Sequence, residues 1–151
     1  MAESIANPRA ILVVSAHWTT NGTAATAMVL YHTIHGLGRG LGSDLFTYHY
    51  NAPDAPWLAE RVVQLIPDEI RVKLDYEWGL YHGTWSVLIQ AFLDASVRVV
   101  QLSLDATRTF SKNARIGAYL EQLRREGVLI VASGNIVHTV KFMDWFEKSR
   151  P

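Results

Sequence analysis

Three histidines stand where an imidazole can do chemistry. His17 follows an apolar run in the string Val13-Val14-Ser15-Ala16-His17-Trp18. His138 follows a second apolar run, 128–132, through Ser133-Gly134-Asn135-Ile136-Val137. His82 sits in Trp78-Gly79-Leu80-Tyr81-His82-Gly83, directly before a helical pattern. Neutral imidazole is a common ligand for iron and zinc, and the usual acid–base group near neutral pH. In open α/β sheets, ligand sites collect at the carboxyl ends of strands. Three imidazoles placed there form a site pattern. The ordinary reading stands beside it: a single histidine at a strand end is more often a hydrogen-bonded loop residue. His32, His35 and His49 fall in or near the loop-rich 31–50 region, and His32 and His49 are read as solvated or structural.

Trp18, Trp78, Tyr81 and Trp85 flank these histidines. Core packing explains Trp85 better than the others. The rest suit the wall of a pocket for a flat aromatic molecule. The glycine-rich run 36–43, GLGRGLGS, lacks the preceding strand and the GK[ST] ending of a phosphate loop. It reads as a loop over a site.

The elements that must position these residues follow from periodicity. Residues 10–14 form a continuous apolar run after Asn7-Pro8, as in a strand buried on both faces. Residues 23–30 are a weaker strand candidate after the Asn21-Gly22 turn. Residues 54–66 read as a helix with Asp54 as cap and Pro67 as stop. Strands are expected at 70–74, 97–104 and 128–132, and helices at 84–93 and 111–126. The last of these has a Ser111 cap, apolar residues at 116, 119, 120 and 123, and Gly127 as stop. A further helix is expected to begin at 142–146. Strands alternating with helices imply a layered α/β sheet.

Bulk composition narrows the classes. A chain of 151 residues favours one domain, with apolar residues at 49% supplying a core. A net charge of zero argues against nucleic acid or an anionic membrane held by bulk charge. The absence of cysteine excludes disulfides and thiolate metal sites. No apolar run approaches the about 18 residues of a membrane span. The first residues, MAESIANPR, have no apolar signal region, so a cytoplasmic location is expected.

The strings SAHW, TIH, WGLYHGTW, VVQLSLD and ASGNIVH, in this order, resemble the class III extradiol ring-cleavage dioxygenases. The branch they are most similar to is that of the 4,5-DOPA extradiol dioxygenases. The resemblance runs from Pro8 to Trp145. It implies a three-layer α/β/α fold with a central mixed sheet. It also implies Fe(II), with zinc possible in its place, and a small aromatic diol and O₂ as reactants. The metal would meet both hydroxyls of the catechol, and the ring would open beside the diol. Carried over residue by residue, His17 is a metal ligand and His138 the acid–base residue. His82 lines the substrate pocket and His35 falls in a motif near its mouth, while Trp18 is read as a substrate-binding wall residue from its place beside His17.

The chain also departs from the family. No histidine stands in the first nine residues, where the family has a ligand in a His-Gly-Ser-Pro string. The sequence stops soon after ASGNIVH, before the family's third ligand. His35 is followed by Gly36-Leu37 instead of Asp-Phe. Residues 1–151 are therefore expected to form a single, incomplete dioxygenase domain in which His17 is the one ligand left. The alternative is an inactive relic or binding module of the same family. A bared sheet edge would invite self-association. Zinc hydrolysis ranks last, since no HExxH string is present.

Overall fold

A computed structural model describes residues 7–29, 32–36 and 46–134. His138, the helix expected from 142 and most of the glycine-rich run lie outside the described residues. The described elements run β1 (Ala10–Thr20), β2 (Thr23–Thr26), α1 (Pro56–Leu65), β3 (Val72–Asp75), α2 (His82–Ala91), β4 (Val99–Asp105), α3 (Phe110–Tyr119), α4 (Glu121–Arg125) and β5 (Val128–Ser133).

The strands form one sheet in the order β3-β2-β4-β1-β5. β1 lies parallel to both β4 and β5, and β2 parallel to β3. The β2–β4 contact is antiparallel, which makes the sheet mixed. Alternation along β1 sends Ala10 and Leu12 to one face, where α1, α3 and α4 supply Leu58, Val62, Ile116, Leu120 and Leu123. Ile11 and Val13 face the other side, against Tyr50, Trp85 and Leu88. Both faces of the central strands are covered, which explains their unbroken apolar run. The three-layer α/β/α arrangement expected from the sequence is what is found.

Local differences have local causes. β1 does not stop at Val14 but continues to Thr20, so His17 and Trp18 lie within the strand. β2 ends at Thr26, short of the expected 30. Asp54 does not cap α1: the cap position is Ala55, without a side-chain bond, and Pro56 starts the helix with its preset φ. Asp54 instead bridges to Val99 of β4. The run 111–126 divides at Leu120, whose N–H bonds back to Gly117 in a tightened turn. Thr109, not Ser111, caps α3 by accepting the Lys112 N–H. Tyr119 of the expected apolar face is 40% exposed, while Gly127 ends the segment at φ +81° as expected.

Asp105 closes β4 and is 3% exposed. Its carboxylate accepts from Thr107 N–H and O–H, Gly22 N–H and Arg108 Nε. Burial alone would raise its pKa, but the bonds from Thr107, Arg108 and Gly22 together outweigh it and hold the pKa below the usual carboxylate value. A depressed folded-state pKa means the group stabilises the fold fully above the unfolded value of about 4, and that this share is lost as pH falls through the folded value. Urea midpoints measured down to acid pH should fall in this window, and fall less in Asp105→Asn. Equal acid slopes for both proteins would refute the assignment.

Candidate active site

The register of β1 explains how an imidazole within the strand is brought to the surface. Val14 pairs with Leu102 and Thr19 with Leu104, so four residues of β1 oppose one of β4. On the other side the ladder to β5 ends at Ser15–Ser133. Residues 16–18 therefore arch out of both ladders, as a bulge re-aims side chains near a site. The arch exposes His17 and turns Trp18 inward, to 4% exposure. Ser15 Oγ, fully buried, accepts the His17 N–H at 3.2 Å and steadies the bend.

Facing the arch is the start of α2. Its approach loop is tied down at each step. Asp75 Oδ1 accepts the N–H groups of Glu77 and Trp78 at 3.0 and 2.8 Å. Leu80 exchanges backbone bonds with His32 and Ile34. Gly79 sits so close to the His32 carbonyl that a Cβ there would overlap it. His82 is the first residue of α2. Its ring lies 4.9 Å from the His17 ring and 4.3 Å from the Tyr81 ring, centroid to centroid. Trp78 is 5.9 Å from Tyr81 and lies nearly parallel to Trp18 at 6.2 Å. The pair of imidazoles thus has an aromatic wall on one side.

The electrostatics favour a neutral His82. Burial first, and His17 second, push its pKa down. Its Nδ1 is buried without a hydrogen-bond partner, and so is Nε1 of Trp78. Unpartnered buried polar atoms cost stability and call for an explanation. A polar ligand seated against the wall would supply one.

His35 belongs to a neighbouring cluster. Its ring lies 5.5 Å from Trp85, 6.0 Å from His49 and 6.3 Å from Phe46. It joins the imidazole pair indirectly: Gly36 packs against the Tyr81 ring, and Tyr81 Oη donates to the Gly36 carbonyl at 3.4 Å. Trp85 is 2% exposed and its Nε1 donates to the Ile34 carbonyl at 2.9 Å, so its core role holds. The structure therefore brings together His17, His82 and Trp18, with His35 at one remove.

Two residues escaped the sequence reading. Gly83 lets the first turn of α2 rest directly on Ser15 and His17. Gln101, a fully buried amide in an apolar strand, bonds to the α2 start through Tyr81 and Thr84. A lone glutamine inside VVQLSL was the available signal.

Among the described residues, no group of three or more His, Cys, Asp or Glu is placed to hold a metal ion. Two imidazoles fall short of a facial three-ligand set. The described residues by themselves do not fit Fe(II) or zinc.

Residues 1–149 match the family described as the catalytic LigB subunit of aromatic ring-opening dioxygenase. The chain is 45% identical over 149 residues to 4,5-DOPA dioxygenase extradiol of Escherichia coli K12, covering 98% of this chain and 54% of that protein. It is 35% identical over 133 residues to 4,5-DOPA dioxygenase extradiol of Beta vulgaris, covering 87% of this chain and 49% of the relative. It superposes on a crystal structure of an uncharacterized Escherichia coli K12 protein with a TM-score of 0.79 at 41% identity, covering 99% of this chain and 56% of the other. The chain spans about half the length of the curated relatives it matches.

Proposed function

The chain belongs to the family of the catalytic LigB subunit of aromatic ring-opening dioxygenases, and from that premise we propose that it serves extradiol cleavage of a catechol, DOPA-like substrate by O₂. The observation that carries this reading is the His17–His82 pair, 4.9 Å apart, on an aromatic wall beside the arch of β1.

Each residue has a proposed part. The neutral His82 hydrogen-bonds a catechol hydroxyl through its unpartnered Nδ1. Tyr81 and Trp78 lie along the ring, with Trp18 stacked behind Trp78 as a buried support. His35 stands near the rim. His138 accepts the proton that a catechol hydroxyl gives up, and returns it as the ring opens. Fe(II), or zinc in its place, is the metal the resemblance implies, with His17 as its ligand. Since the described residues do not complete such a site, its coordination would need groups beyond them. No helix among the described residues is long and apolar enough to cross a membrane, and a cytoplasmic location is proposed with the function.

A second reading, in which the chain binds an aromatic diol without turning it over, rests on the described residues, among which no group of three or more His, Cys, Asp or Glu is placed to hold a metal ion. Anaerobic calorimetry with Fe(II), on the chain and on His17→Ala, separates the two. Tight binding that the substitution weakens by at least about tenfold, followed by oxygen uptake with DOPA or catechol, is the expected outcome for the enzyme. Binding that is absent or indifferent to His17 would sink the catalytic reading. Catechol affinity without metal would then support the binding module.

A further inference from the structure

We propose that Gln101 is the positioning residue of His82: reaching across from β4, its side chain anchors the start of α2, which has no side-chain cap, and holds the imidazole beside His17. Tyr81, the cap residue of α2, is extended and offers no side-chain bond to the first turn. A helix begun this way needs an anchor from elsewhere. Gln101 Oε1 supplies it, accepting the Tyr81 N–H at 3.1 Å and the Thr84 hydroxyl. These two anchor points bracket His82 on both sides in sequence. Tyr81 O in turn accepts the N–H groups of Thr84 and Trp85, closing the first turn on the same fixed residue.

The anchor is itself rigid. Gln101 and Thr84 are fully buried. The Gln101 backbone N–H donates to Thr26 Oγ1 at 2.9 Å, and Gln101 pairs with Val13 of β1. One strand neighbour therefore leads to the arch that carries His17, and the side chain leads to the helix that carries His82. The amide is an expensive choice for this position. Its Nε2 is buried with no partner, where an apolar side chain would have left no such cost. Only the oxygen is used, and it is used to place the α2 start.

The role of His82 toward substrate comes from the proposed function, so two readouts on the intact chain are needed. The first is the NMR cross-peak between ring protons of His17 and His82. The second is catechol affinity under anaerobic, metal-free conditions. Gln101→Met removes the acceptor at similar length; it should abolish the cross-peak and weaken catechol binding about tenfold, as a lost buried hydrogen bond does. Gln101→Glu keeps the acceptor and exchanges the unpartnered Nε2 for a second oxygen of a buried carboxyl; with its fold verified by the urea midpoint, it should keep both. In a His82→Ala background, Gln101→Met should cost no further affinity. A cross-peak and affinity that survive Gln101→Met, or an affinity loss that persists without His82, would overturn the proposal. Should Gln101→Met fail to fold, Thr84→Val removes one arm of the clamp, and a retained cross-peak there would overturn it equally. A wild-type chain that binds no catechol would refute the substrate role of His82, and the cross-peak series would still decide Gln101.

Discussion

Replacing Gly83 with alanine is expected to destabilise the chain by roughly 1–3 kcal/mol, the usual range for an overpacked interior, and to part the His17 and His82 rings. Two effects oppose each other. Alanine favours a helix over glycine by about 1 kcal/mol in an interior turn. Against that, the new Cβ would overlap Ser15 Oγ and stand 3.2 Å from His17 Nδ1 and 3.3 Å from Ser15 Cβ. Ser15 cannot swing aside freely, since it is fully buried and its hydroxyl accepts the His17 N–H. The helix start cannot lift without stretching the bonds from Tyr81 and Thr84 to Gln101. The clash therefore wins, and the strain falls on the contact between arch and helix. Urea denaturation should show the stability loss, and catechol titration a loss of affinity. Ser15→Ala in the same chain removes the overlapping oxygen and should recover most of the stability, giving a strongly non-additive cycle. Additive losses would mean that the arch and the helix are not in the contact described.

The same arch shows where a one-dimensional reading stops. The apolar runs at 10–14 and 128–132 announce central strands because both faces are covered, and hydrophobicity alone reports that. The family strings then place His17 and His82 at one site, and the rings do meet. What periodicity cannot report is register. Ser15 to Trp18 look like a strand ending because polar and aromatic residues break the run; in fact β1 continues, with four residues set against one. Caps fail for a similar reason. Asp54 and Ser111 are good cap types, yet Asp54 is engaged by β4, and Thr109 is the hydroxyl that meets an open N–H. Gln101 stood out only as a polar residue in an apolar run, because its partners, at Tyr81 and Thr84, are set by the tertiary fold.

Trp85→Ala should cost about 3–5 kcal/mol, the range for deleting a buried large aromatic side chain, and so a large part of the 5–15 kcal/mol that holds a typical domain together. Trp85 sits at the centre of the core face that α2 presents, at 2% exposure, among Ile11, Val13, Leu80 and Leu88. It also reaches outward: its indole donates to the Ile34 carbonyl at 2.9 Å, and its ring lies 5.5 Å from His35 and 6.4 Å from Tyr48. Deleting the ring opens a cavity between α2 and the sheet and releases the 32–36 segment from its donor. Trp85→Phe separates these consequences. It keeps most of the buried surface but leaves the Ile34 carbonyl without its partner, at a cost of about 1–3 kcal/mol. If the tryptophan is core and tether together, the alanine variant loses stability heavily, while the phenylalanine variant stays folded and weakens the hold on His35 and Gly36. Since Gly36 packs on Tyr81, catechol affinity should then fall in Trp85→Phe with only a modest shift in the urea midpoint. A midpoint unchanged in Trp85→Ala would refute the core assignment, and an affinity unchanged in Trp85→Phe would show that the 32–36 segment keeps its place without the indole bond.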